Sequence, residues 1–122
     1  MSLFLTAVLG VVNAATADGI TKRVKFAKGA HSATISGDVL RGDSDTYLVG
    51  ASANQKMSVK ITSLEKNAVF QIEKPGGGYL EKAGEEDDAM TWNGTLPTDG
   101  DYKIEVAGTR GNASYKLTVS IQ

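Results

Sequence analysis

The chain has 122 residues, and its 13 Lys and Arg stand against 14 Asp and Glu for a formal net charge of −1. That length suits one domain with one core, and the near-neutral balance lacks the basic face that a nucleic-acid binder needs. The absence of Cys excludes disulfides and thiolate metal sites, and no tract is biased enough to read as disordered.

Residues 1–17, MSLFLTAVLGVVNAATA, carry no charged side chain. The apolar run from Leu3 to Val12 is too short to span a bilayer. Small residues follow it, with Ala15-Thr16-Ala17 as a cleavage pattern before Asp18, which outlines a secretory signal peptide although no Lys or Arg precedes the run. A buried N-terminal helix is the other reading. On the first reading residues 18–122 form one mature domain, with no membrane segment after the leader is removed.

From Asp18 onward the pattern is strands and turns, without an amphipathic helix. Ile20, Val24 and Phe26 are apolar on even positions, and the lysines and arginine among Lys22, Arg23, Lys25 and Lys28 suit an edge strand, where charge blocks unwanted pairing. Ala33 and Ile35 continue on odd positions. The stretch from Gly37 to Ile61 is the organising one. Tyr47, Val49 and Ala51 alternate, the polar turn Ser52-Ala53-Asn54-Gln55 intervenes, and Met57, Val59 and Ile61 resume the alternation. Period-two alternation marks strands with one buried face, and two such runs joined by a short turn predict a β-hairpin over roughly 45–51 and 56–63.

Ala68, Phe70 and Ile72 predict a further strand, stopped by Lys74-Pro75-Gly76-Gly77-Gly78. Tyr79-Leu80 is a short edge candidate, Glu85 to Asp88 is an acidic loop, and Met90, Trp92 and Leu96 mark the next strand. Tyr102, Ile104 and Val106 alternate after a turn at 98–101. Gly108 to Asn112 turns again, and Tyr115, Leu117, Val119 and Ile121 close the chain. Seven to nine short strands at this spacing predict an all-β fold, an antiparallel β-sandwich. Trp92, Phe26, Phe70, Tyr102, Ile104, Val106, Leu117 and Val119 are expected to share its core.

Catalysis is poorly supported. A His-containing triad has only His31 to use, there is no G-x-S-x-G context, and a His-rich zinc site is ruled out. The paired carboxylates, Asp43 with Asp45 and the run Glu85 to Asp88, have no sugar cleft marked between them. Asp43 and Asp45 are a weak calcium candidate. Hard cations need six to eight oxygens and no EF-hand spacing is present, so the acids are read as satisfying turn N–H groups. No cofactor is implied.

The run Val24-Lys25-Phe26-Ala27-Lys28-Gly29, then Ser36-Gly37-Asp38-Val39, then Asp43-Ser44-Asp45-Thr46-Tyr47, resembles the periplasmic inhibitors of goose-type (g-type) lysozyme, small secreted β-sandwich proteins. The segment Leu96-Pro97-Thr98-Asp99-Gly100-Asp101-Tyr102-Lys103-Ile104-Glu105-Val106 and the pair Thr109-Arg110 are similar to the same family. Gly42 stands where the family carries an aromatic residue. The resemblance implies an exported, non-enzymatic inhibitor whose protein partner is goose-type lysozyme, bound by surface loops that plug the enzyme cleft. Such a plug needs a guanidinium to pair with cleft carboxylates. Arg41 and Arg110 sit in glycine-flanked loops, and the partner-binding residues are expected to be Arg41, Asp43, Asp45, Tyr47, Arg110 and Asn112. The frame from Gly42 to the C-terminus also looks like the pre-peptidase C-terminal domains, which leaves a binding module for glycan or cell-surface protein as the alternative. Oligomeric state stays open.

Overall fold

The computed structural model describes residues 19–122. The expected leader, residues 1–17, lies outside the described residues. Eight strands follow in chain order: β1 Thr21–Arg23, β2 Ser32–Val39, β3 Ser44–Ala51, β4 Lys56–Ser63, β5 Ala68–Glu73, β6 Thr91–Thr95, β7 Gly100–Gly108 and β8 Ala113–Ile121. They form two four-stranded sheets, one ordered β1-β3-β7-β5 and the other β2-β8-β4-β6. Every pairing is antiparallel except that of β1 with β3. This is the expected β-sandwich, and no helix occurs among the described residues.

Alternation builds the core. Tyr47 and Val49 of β3, Met57, Val59 and Ile61 of β4, and Leu117 and Val119 of β8 all point inward and are buried. Phe70, Tyr102, Ile104 and Val106 join them as expected, whereas Phe26 and Trp92 are half-buried at the margin. Tyr102 also locks the turn before it, donating its hydroxyl to the Thr98 carbonyl at 2.7 Å and accepting the Thr98 N–H at 3.2 Å. That return bond is the tyrosine-corner device of sandwich folds.

The expected hairpin is not formed. β3 lies in one sheet and β4 in the other, so Ser52–Gln55 is an arch between the layers. Two strands that each bury their odd residues satisfy that pattern equally well side by side or face to face, so the alternation does not distinguish the two arrangements. The arch is fixed by bonds that strand partners do not supply. Asn54 takes the left-handed conformation at φ 73°. The Ala53 N–H donates to Asp99 Oδ1 at 2.7 Å, and the Asn54 N–H to the Leu96 carbonyl at 2.8 Å.

Two other expectations are shortened. The first strand covers only Thr21–Arg23, an exposed edge ribbon, with Arg23 forked onto Asp101 at 2.8 and 3.0 Å. Tyr79 contributes one bridge, to Glu73, rather than a strand. Gly76, Gly77 and Gly78 all have positive φ, which turns the chain too tightly for pairing to continue. Beyond them Leu80, Ala83 and Ala89 are buried in the same core.

Candidate functional site

Three turns meet at one end of the sandwich. They are 40–43 between β2 and β3, 64–67 between β4 and β5, and 109–112 between β7 and β8. The first closes with the Asp43 N–H on the Leu40 carbonyl at 3.0 Å. Gly42 within it has φ 82°, a left-handed conformation that glycine adopts without strain and an aromatic residue would not.

Hydrogen bonds knit the turns together. The Arg41 N–H donates to Asn112 Oδ1 at 2.7 Å, and Asn67 Nδ2 donates to the Asn112 carbonyl at 3.1 Å. The Thr109 N–H reaches the Asn67 carbonyl at 2.8 Å. Arg110 donates one guanidinium N–H to the Glu65 carbonyl at 2.7 Å. A guanidinium carries five N–H donors, so this contact orients the fork and leaves donors free. The one ion pair among the described residues, Arg23 with Asp101, does not involve Arg41 or Arg110. Both arginines and Asn112 are exposed, and Asp43 is half-buried.

Asp45 and Tyr47, expected at the partner-facing surface, are instead buried beneath it, at 2% and 0% exposure. Strand alternation turns both inward, where a carboxylate must find donors. Asp45 Oδ2 accepts the Tyr115 hydroxyl at 2.6 Å, and Oδ1 accepts the Ile20 N–H at 3.1 Å. The Tyr115 proton is spent on Asp45, so at the 2.6 Å contact between the two hydroxyls Tyr47 is the donor. The rings stand edge to face, with centroids 6.5 Å apart. Burial, then the bonds to Asp45 and Tyr47, pushes the Tyr115 hydroxyl far above the ordinary tyrosine range, and burial raises Tyr47 as well. A Cβ at Gly37 would lie 2.5 Å from the Tyr115 oxygen, so glycine makes room for this network. Both Asp45 oxygens are thus engaged within the network, and among the described residues no group of three or more His, Cys, Asp or Glu is placed to hold a metal.

Sequence reasoning missed three members of this end. Leu64 is fully exposed and Leu40 is 58% exposed, so two apolar side chains flank the arginine loops. Tyr115 carries no expectation beyond its place in the closing strand. The signal for it was Asp45, an acid on the inward parity of a strand, which demands a buried donor opposite.

The whole fold is similar to known structures. PliG of Aeromonas hydrophila, described as a periplasmic lysozyme inhibitor of g-type lysozyme, is 40% identical with a TM-score of 0.73, over 87% of this chain and 100% of its own. A PliG mutant from Escherichia coli, described in the same words, is 26% identical with a TM-score of 0.69, over 85% and 99%. The pre-peptidase C-terminal domain of a Bacillus anthracis collagenase, 16% identical with a TM-score of 0.62 over 88% and 100%, shares the fold alone. No family model and no curated protein matches the chain.

Proposed function

This chain belongs to the family of periplasmic inhibitors of g-type lysozyme, and from that membership we propose that it is an exported, non-enzymatic protein that occupies the cleft of such a lysozyme. The observation that carries the reading is the 40% identity across the full length of the Aeromonas inhibitor. The end of the sandwich bearing Arg41 and Arg110 is the surface that enters the enzyme. Glycoside hydrolases place paired carboxylates in their clefts, and two exposed guanidinia are suited to pair with them.

Arg110 is the principal contact, with its fork oriented by the Glu65 carbonyl. Arg41, Asp43 and Asn112 surround it, while Asp45 and Tyr47, bonded to Tyr115, lie buried in the strand that follows the 40–43 turn. Exposed Leu64 and Leu40 add apolar area beside the charges, the mixture typical of interface anchors inside a polar rim. Binding by rigid, hydrogen-bonded turns also spares the cost of ordering loops on association.

The test is lysis of a peptidoglycan suspension by g-type lysozyme, with chicken-type and invertebrate-type enzymes in parallel. Inhibition of the g-type enzyme at micromolar protein is expected. Undiminished lysis at micromolar excess would sink the reading.

A further inference from the structure

Two sheets have four edges, and three of them are blunted against a further strand. β1 has three residues and presents Lys22 and Arg23, and β6 has only five residues. Short and charged edges resist pairing. The outer side of β5 is covered by the segment that follows it, through the Phe70 N–H on the Ala89 carbonyl at 2.9 Å and the Ile72 N–H on the Ala83 carbonyl at 2.8 Å. β2 has none of these guards. It runs for eight residues, SATISGDV, with no Lys, Arg or Pro, and among the described residues β8 is its only neighbour in the sheet. Its one charged side chain, Asp38, leans onto the sheet to accept the Ser114 hydroxyl.

The register decides which backbone groups face outward. The Ile121 N–H donates to the His31 carbonyl at 2.9 Å, which continues the pairing of Ser32 with Ser120. Bonded and non-bonded pairs alternate along an antiparallel ladder, so Ala33, Ile35, Gly37 and Val39 bond to β8. Ser32, Thr34, Ser36 and Asp38 turn their N–H and C=O groups to the free edge. We propose that this edge pairs with the same edge of a second copy, antiparallel across a two-fold axis, so that two sheets become one. A single register engages every outward group, with Thr34 opposite Ser36 of the second copy and Ser32 opposite Asp38 of the second copy. No like charges meet, since Asp38 faces a serine. The same register sets Ile35 on the axis in a non-bonded pair with its twin, the Cα atoms about 4.5 Å apart. That contact covers the exposed part of a side chain only partly packed against the core. Ala33 falls beside Gly37 of the second copy, so small residues flank it. An isologous pairing of this kind closes at two copies. The two 40–43 turns then lie at opposite ends of the joined sheet and, given the inhibitory role proposed above, the dimer carries two separate lysozyme-binding ends.

Sedimentation of the protein as it is exported, from micromolar to submillimolar concentration, tests the pairing with no lysozyme present. The weight-average mass is expected to rise to twice that of one chain and stop there. Ser36→Pro deletes an outward N–H and leaves the bonds to β8, because an edge strand tolerates proline where the missing donor faces away from the sheet. It should raise the dimer dissociation constant roughly tenfold to a hundredfold, since one bond is lost on each side of the axis. Thr34→Lys combined with Ser36→Lys sets ammonium groups directly opposite each other on the exposed face, where the fold does not depend on them, and should leave single chains throughout. Both variants should keep the circular dichroism spectrum of the parent. A parent mass of one chain at every concentration would overturn the proposal. So would a dimer whose dissociation constant neither variant changes, or a mass that climbs past two chains.

Discussion

Tyr115→Phe removes one oxygen atom from the buried network and leaves the ring in place. Two contacts are lost together, the 2.6 Å bond to Asp45 Oδ2 and the 2.6 Å bond to the Tyr47 hydroxyl. A hydrogen bond to a charged group is worth about 1.5–3 kcal/mol and a neutral one about 0.5–1.5 kcal/mol. Asp45 keeps only the Ile20 N–H, and the Tyr47 hydroxyl loses its acceptor in a region with 0% exposure. The expected loss is therefore about 2–4 kcal/mol, a large share of a small domain's stability. Denaturant unfolding followed by Trp92 fluorescence measures it, with an unchanged m-value showing that only stability moved. Tyr102→Phe is the comparison, since its hydroxyl bonds a single turn and no carboxylate. A Tyr115→Phe protein within about 0.5 kcal/mol of the parent, the scale of an ordinary surface change, would refute the claim that Asp45 depends on this donor.

Three further outcomes are expected. Arg110→Ala should weaken lysozyme inhibition by tens-fold or more, from the roughly 2–5 kcal/mol cost of breaking a buried charge pair, with Arg110→Lys recovering only part and Lys103→Ala changing little; inhibition constants compare them, and equal values for the parent and Arg110→Ala would remove this loop from the interface. Gly37→Ala should cost about 1–3 kcal/mol in unfolding measurements, because the added methyl meets the Tyr115 oxygen at 2.5 Å. Stability should fall as pH rises above the ordinary tyrosine range near 10, because the unfolded chain then releases protons that Tyr115 and Tyr47 retain in the fold. Each retained proton contributes a slope of about 1.4 kcal/mol per pH unit, and unfolding midpoints at pH 9 and 11 should show a shallower slope for Tyr115→Phe.

The strands were legible because alternation reports burial directly. Val49, Met57, Ile104 and Leu117 declare an inward face without reference to any other residue. Their neighbours were not legible in the same way. β3 and β4 are adjacent in sequence and share a parity, yet β3 pairs with β7 and β4 with β8 and β6. At the loop end, the glycine-flanked arginines were visible as turns, and their meeting depends on Asn112 and Asn67, whose bonds cross between turns. Asp45 and Tyr47 were named as partner-binding residues, but strand parity turns both inward. Leu64 gave no periodic signal at all, being a lone apolar residue in a polar turn.

The pairing of β2 with β8 has a consequence for how the chain reaches its folded state. Ser32 lies beside Ser120, 88 residues away, and the register holds without a break to Val39 beside Ala113. One sheet thus has its edge strand near the beginning of the domain and the neighbour of that strand at the very end. β8 also separates β2 from β4, so until residues 113–121 are available β2 has no neighbour in that sheet and β4 has only β6. Loop closure on this scale belongs to the millisecond-to-second regime of β-sandwich folding, and in a chain made N-terminus first that sheet cannot close until residues 113–121 have been added.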